Sequence, residues 1–267
     1  MLVVLPPSEG KTPAATGPAV ELASLSAPEL TEHRERVLDA LAAVSARPDA
    51  LELLGVGASL ADDVARNTRL RTEPAAHAAH VYTGVLYAAA RLGEALADGG
   101  VPASRLADVL TVSALWGAVT PLDRVPAYRL SMGTDLPGVG PLARAWREPL
   151  AKALDARGAG DVVVDCRSAS YAAAWKPPAD AEHVQVVILR EHQGRRSVVS
   201  HHAKHTRGVL TGHLVHRDGA PPRSAGALLE AARELVGDVR DGRRILAADL
   251  VAGRGRAQAL QVVVTDV

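Results

Sequence analysis

The first residues able to do chemistry lie in "VLPPSEGKT", residues 4–12, which closes on Gly10-Lys11-Thr12. That tripeptide also closes a phosphate-binding P-loop, but a P-loop needs a further glycine five residues before its second one. Leu5 stands there, and Pro6 and Pro7 occupy positions where backbone N–H groups would have to cradle phosphate. The nucleotide-loop reading therefore fails. What remains is an amine with two hydroxyls, Ser8 and Thr12, just past a buried strand end, where α/β folds often place site residues. Burial of Lys11 would lower its pKa and let it act as a base or a Schiff-base amine.

Four other stretches carry chemistry. In "LLGVGASLADDV", residues 53–64, Gly55 and Gly57 alternate with apolar residues before Ala61 and Val64. This fits a helix-hairpin-helix, which offers backbone N–H groups to a DNA phosphate without reading bases. A plain αα-hairpin with a glycine cap has the same pattern, and Asp62 and Asp63 oppose close phosphate contact. A basic stretch holds Arg190, Arg195, Arg196, Lys204, Arg207 and Arg217, interspersed with His192, His201, His202, His205, His213 and His216. It makes a local anion site near Gly208. His201 and His205 have helical metal-ligand spacing, but no carboxylate partner is near them in sequence, so no metal is expected.

In "VSALWGAVTPLDRVPAYRLSMG", residues 112–133, Asp123, Arg124, Tyr128 and Arg129 crowd a Pro-rich loop after a strand. Arg129 beside Tyr128 suits a phosphate clamp or a base stack. In "DCRSASY", residues 165–171, Asp165, Arg167, Ser168, Ser170 and Tyr171 are more polar groups than a turn needs. Cys166 has no motif that would make it a nucleophile, and no Gly-x-Ser-x-Gly elbow occurs.

The elements that must position these groups read as follows. Residues 1–7 form a short buried strand ended by prolines. Residues 27–47 form a helix with Leu30, Val37, Leu38, Leu41 and Val44 on one face. Residues 48–70 are helix, Gly-x-Gly break, helix. A helix follows Gly84, a strand lies within 106–117, and 141–158 is a helix with Gly158 as its cap. Residues 161–171 are a strand and turn, 183–202 a β-hairpin, 203 onward a helix, 224–237 another, and two strands finish the chain. The interleaving lacks a strict βαβ repeat. It implies one mixed α/β (α+β) domain over 1–267, with a helical helix-hairpin-helix segment at about 27–75 as an appendage.

Composition sets limits. Of 267 residues 48% are apolar, enough for a core, and without Phe that core must be Val, Leu and Ala. Thirty basic and thirty acidic residues cancel, so the whole surface is no nucleic-acid magnet and any anion site is local. A single cysteine excludes an internal disulfide and an all-cysteine metal site. With no signal-peptide pattern and no long apolar run, a cytoplasmic protein without membrane contact is expected, and no cofactor.

Together these stretches resemble the YaaA family, the peroxide stress resistance proteins. The resemblance rests on "SEGKT", "VYTGVLY", the 112–133 block, "WREPLAKAL", "DCRSASY" with Lys176 after it, and "HHAKHTRG". It implies an α/β fold of unusual topology with a central mixed sheet, surrounding helices, a helix-hairpin-helix and a positively charged cleft. It also implies binding to double-stranded or branched DNA and protection against peroxide. It carries Lys11, Arg129, Lys204 and Arg207 into the cleft, with Gly55, Gly57, Arg167, Ser168 and Lys176 as further anion contacts. Tyr82, Ser113, Asp165 and Tyr171 fall in matching motifs as supporting groups and, with Lys11, as catalytic candidates. His202 stands where the family has a lysine. The other reading is an enzyme acting on a small phosphorylated or nucleoside-like ligand in the same cleft, since a nonspecific DNA binder has little use for Asp165, Tyr82 or Ser113.

Overall fold

Four apolar residues in a row, Leu2–Leu5, leave neither face of a strand polar, a pattern that belongs inside a parallel sheet covered on both sides. In the computed structural model, which describes residues 1–97, 99–199 and 203–267, this strand (β1) sits there, wholly buried. The main sheet continues with Val109–Ser113 (β2), Gly117–Val119 (β3), Val162–Asp165 (β4), Glu182–His192 (β5) and Arg195–Val198 (β6). Val239–Arg240 (β7), Arg243–Ala252 (β8) and Gln258–Asp266 (β9) complete it. Its spatial order is β7-β8-β9-β5-β4-β1-β2-β3, with β6 paired to the far end of β5. Strands β2, β1, β4, β5 and β9 run parallel, and the others add antiparallel. The fold is thus α/β with a central mixed sheet.

The register positions the site. Leu5 pairs with Thr111 and Val4 with Asp165, so the carboxy ends of β1, β2 and β4 lie side by side. The chain leaves β1 for β2 on one flank and later returns to β4 on the other. Loops leaving neighbouring strands in opposite directions open a crevice between them, the topological switch point where α/β folds bind ligands.

Helices packed around the sheet include Thr31–Ser45 (α1), Ala50–Leu53 (α2), Ala61–Arg66 (α3), Val85–Ala90 (α4), Arg147–Gly158 (α5), Ala203–His216 (α6) and Ala225–Arg233 (α7). Helix α1 was expected in an appendage. Instead its Val37, Leu38, Leu41 and Val44 join the same buried cluster as the sheet. Arg34, fully buried, also donates Nε to Trp116 O (2.9 Å) and a terminal nitrogen to Ala118 O (2.9 Å) and Ser26 O (2.6 Å). The amphipathic face was legible, but the bolt was not: an Arg amid apolar residues reads as surface until its carbonyl partners are known.

Two other details differ from expectation. The helix expected after Gly84 breaks at Arg91, whose φ of 54° is left-handed. Gly158 is the last residue of α5 rather than its cap, packed so that a Cβ would lie 3.2 Å from Pro178, while Gly160 takes the positive φ. The hairpin of β5 and β6 turns on Gln193 and Gly194, both at positive φ as the twist of the strands prefers. His201 and His202, and with them the proposed helical pair of His201 and His205, lie outside the described residues.

Helix α6, which carries Lys204 and Arg207, packs on α4 through Gly208 and Gly212. A Cβ on Gly208 would overlap the Leu86 carbonyl oxygen, and one on Gly212 would lie 2.9 Å from Ala90 O. Backbone atoms cannot step aside, so Gly208→Ala is expected to destabilise the fold by about 1–3 kcal/mol in urea unfolding. Gly226→Ala, on an open face of α7, should leave stability unchanged or slightly raised.

Candidate functional site

The loop after β1 is pinned before it reaches Lys11. Thr12 N donates to Val81 O (2.9 Å), and Lys11 forms an isolated antiparallel bridge with Tyr82. The side chain then folds inward. Its Nζ donates to Ser8 O (2.8 Å) and Glu9 O (3.4 Å) and lies 4.2 Å from the centroid of the Tyr128 ring and 5.8 Å from that of Tyr82. Burial, and next the Arg129 guanidinium, lower the Lys11 pKa to about 7 against the opposing pull of Asp63 and Glu9. At neutral pH this amine is partly deprotonated.

Beneath it runs a chain of hydroxyls. Tyr82 OH meets Tyr128 OH at 3.3 Å, and Tyr128 OH meets Ser113 Oγ at 2.7 Å. Ser113 Oγ accepts from the backbone N–H of Leu115 (3.2 Å) and Trp116 (2.9 Å). Burial raises the pKa of both tyrosines, so both stay protonated. Tyr82 and Ser113 are fully buried, and neither is among the residues that line the cavity in front of Lys11.

Arg129 reaches the site from the Pro-rich loop and is held by the helical segment opposite. The Asn67 amide clamps its backbone, accepting from Arg129 N and donating to Arg129 O, both at 2.9 Å. Asp63 Oδ2 accepts from its guanidinium at 2.8 Å. Burial alone would raise the Asp63 pKa, but bonds from Arg129 and Arg66 bring it below its usual value. One acid of the "ADDV" stretch thus turns inward to orient a cation, which answers how acids and an anion site coexist there. Arg129 Nε is buried with no hydrogen-bond partner.

From α6, Arg207 donates Nε (3.1 Å) and a terminal nitrogen (2.9 Å) to Val186 O, and exposed Lys204 lies 3.5 Å from Glu9 Oε1. Lys11, Gly55, Gly57, Arg129, Ser168, Tyr171, Lys204 and Arg207 all line one cavity of about 660 Å³. Gly55, at φ 64°, turns the chain between α2 and α3, and the Gly55–Gly57 turn forms one wall. These helical pieces are short, four and six residues.

Asp165, Arg167 and Lys176 lie elsewhere. Past β4 the side chains alternate: Cys166, Ser168 and Ser170 line the first cavity, while Asp165, Arg167 and Ala169 line a second of about 670 Å³ that Lys176 and His183 also border. Arg167 spends its buried guanidinium on Asp165, with Nε at 2.9 Å and a terminal nitrogen at 2.8 Å from the two carboxylate oxygens, and His183 Nε2 lies 3.1 Å from Oδ2. Burial would raise the Asp165 pKa, but Arg167 outweighs it and holds the carboxyl far below its usual range. Cys166 faces the first cavity, and burial pushes its thiol up to about 12, so it is no nucleophile at neutral pH.

Sequence reasoning missed Glu9, Asn67, Asp63 as a cation holder and His183. The last opens the apolar run of β5 and gave no motif. Among the described residues no group of three or more His, Cys, Asp or Glu could hold a metal ion, and no helix is long and apolar enough to cross a membrane.

The family model described as peroxide stress protein YaaA matches residues 1–224. A UPF0246 protein of Streptomyces coelicolor is 41% identical over 269 aligned residues, covering 100% of both chains. One of Corynebacterium efficiens is 37% identical over 268 residues, 99% of this chain and 100% of its own. One of Corynebacterium glutamicum is 37% identical over 214 residues, 79% of this chain and 83% of its own.

Two predictions test the electrostatics. Because the folded Lys11 pKa of about 7 lies below the unfolded 10.5, the unfolded chain binds the extra proton between those values, and wild-type stability gains as pH rises through that window. Lys11→Met removes this term. Urea unfolding should show it most stabilised relative to wild type below the window, with the advantage gone above it. Asp165→Asn leaves Arg167 buried without its counter-charge and should cost about 3–5 kcal/mol, most of it recovered when Arg167→Met is added, as read by thermal melts.

Proposed function

The chain belongs to the peroxide stress protein YaaA family, and from that premise we propose that it serves the peroxide response by binding DNA, duplex or branched, at the mouth of the Lys11 cavity. The observation that carries this reading is continuity: the deep amine of Lys11 and the Gly55–Gly57 turn share one cavity with Arg129, Lys204 and Arg207. Arg129, Lys204 and Arg207 face one lining carboxylate among the described residues, Glu9, in a protein that is neutral overall. The potential is therefore local, as a site for one stretch of phosphate backbone requires. A cavity of this size takes a single nucleotide-sized group. A duplex lies across its mouth, and only a phosphate, a strand end or an extruded nucleotide reaches in, which suits branched DNA. Such a role places the protein in the cytoplasm, in keeping with its lone thiol.

A second reading has its own support. A lysine near neutrality beside a buried chain of protonated hydroxyls is more than phosphate contact needs, and it favours a small phosphorylated or nucleoside-like ligand handled by an enzyme.

Fluorescence anisotropy with duplex and four-way-junction DNA separates the two. Under the first reading affinity falls steeply with salt, and Lys204→Ala weakens binding to all sequences alike, lowering the slope of log K against log salt by about 1. Salt-independent or absent binding at low salt overturns it. Thermal stabilisation by nucleotides or sugar phosphates without DNA binding would establish the second reading.

A further inference from the structure

Around Lys11 Nζ stand two carbonyls and the ring of Tyr128, 4.2 Å to its centroid. The two hydrogen-bond acceptors of Nζ are the carbonyls of Ser8 and Glu9, and no carboxylate pairs with it among the described residues. A neutral amine has two hydrogens and one lone pair. Two carbonyls use the hydrogens and leave the lone pair unspent, which is the ground state of a nucleophile. Cys166 Sγ, on the same cavity, is buried and protonated. Arg129, Lys204 and Arg207 stand around the same space, and Arg129 Nε is a buried donor still without an acceptor. A nucleophilic amine beside an unfilled anion seat selects a ligand that carries both a carbonyl carbon and a phosphate.

We propose that Lys11 forms an imine with the aldehyde of a phosphorylated sugar, presented either by a base-less deoxyribose in a DNA strand or by a free sugar phosphate. The proposal rests on the reading of this cavity as a phosphate site. In the step, the Nζ lone pair bonds to the aldehyde carbon while the carbonyl π pair moves to oxygen. That oxygen receives a proton from nitrogen, giving a carbinolamine. The hydroxyl then leaves as water with the second amine proton, and the C=N bond forms. The sum is amine plus aldehyde to imine plus water, with no change of oxidation state, and water reverses it. Tyr171, on the cavity wall and kept protonated by burial, is a hydroxyl able to relay the proton to the leaving oxygen.

Borohydride trapping tests this. The full protein is incubated with an end-labelled duplex bearing one abasic site, and separately with deoxyribose 5-phosphate, in the presence of sodium cyanoborohydride. Reduction converts an imine to a stable secondary amine, read by denaturing gel and by mass spectrometry of the modified peptide. The expected result is modification of Lys11 over each of Lys152, Lys176 and Lys204 by about tenfold or more, lost in Lys11→Arg. A Lys11 adduct in the abasic arm supports imine formation on DNA. One confined to the sugar-phosphate arm supports it on a small ligand and counts against the DNA reading. Adducts spread evenly over the four lysines overturn the proposal whatever the variant does. Duplex binding by anisotropy with no adduct in either arm overturns it while the DNA reading stands, and neither binding nor adduct ends both.

Discussion

The parallel pairing of β1 with β2 on one side and β4 on the other is the constraint on which the rest depends. It brings three carboxy-terminal strand ends together at one edge. The loops that leave them carry Lys11, the Ser113 turn and the Cys166–Tyr171 stretch. Because β1 is apolar on both faces, it is stable only when covered on both, and the covering helices also supply the remaining walls. Helix α6 brings Lys204 and Arg207, and the short pieces α2 and α3 bring the glycine turn and the Asp63–Asn67 clamp.

The buried charges are handled in three ways. Arg34 is matched to three backbone carbonyls and joins α1 to the sheet. Arg167 is matched to a carboxylate in bidentate geometry, where each partner's burial would be prohibitive without the other. Lys11 is matched to carbonyls and the Tyr128 ring but, among the described residues, to no paired carboxylate, and burial lowers its hold on its proton. The first two hold the fold, and the third is left with chemistry to do.

Much of the architecture was legible because it follows local rules. The strand of Leu2–Leu5, the α1 stripe and the hairpin closed by Gln193-Gly194 all announce themselves by periodicity or turn chemistry. Lys11, Arg129, Lys204 and Arg207, singled out from the sequence as cleft candidates, line one cavity. What stayed hidden was pairing across the chain. Nothing local ties Asp63 to Arg129 or His183 to Asp165, separated by 66 and 18 residues. Nor does sequence tell that Arg167, within a polar turn, faces away from Ser168. Such facts depend on which face a residue presents once the sheet is built, and one step along an extended chain reverses that face.

That last reversal reaches beyond residue bookkeeping. Residues 165–170 are a partition one residue thick, with one cavity on each side. A ligand that displaces the backbone at Ser168 or Ser170 also displaces the neighbouring Arg167 and Ala169, and so the wall of the opposite cavity. The two spaces are thermodynamically linked wherever that displacement changes a binding free energy. By reciprocity the coupling is equal in both directions: whatever occupancy of the Lys11 side does to affinity on the His183 side, occupancy there does in return.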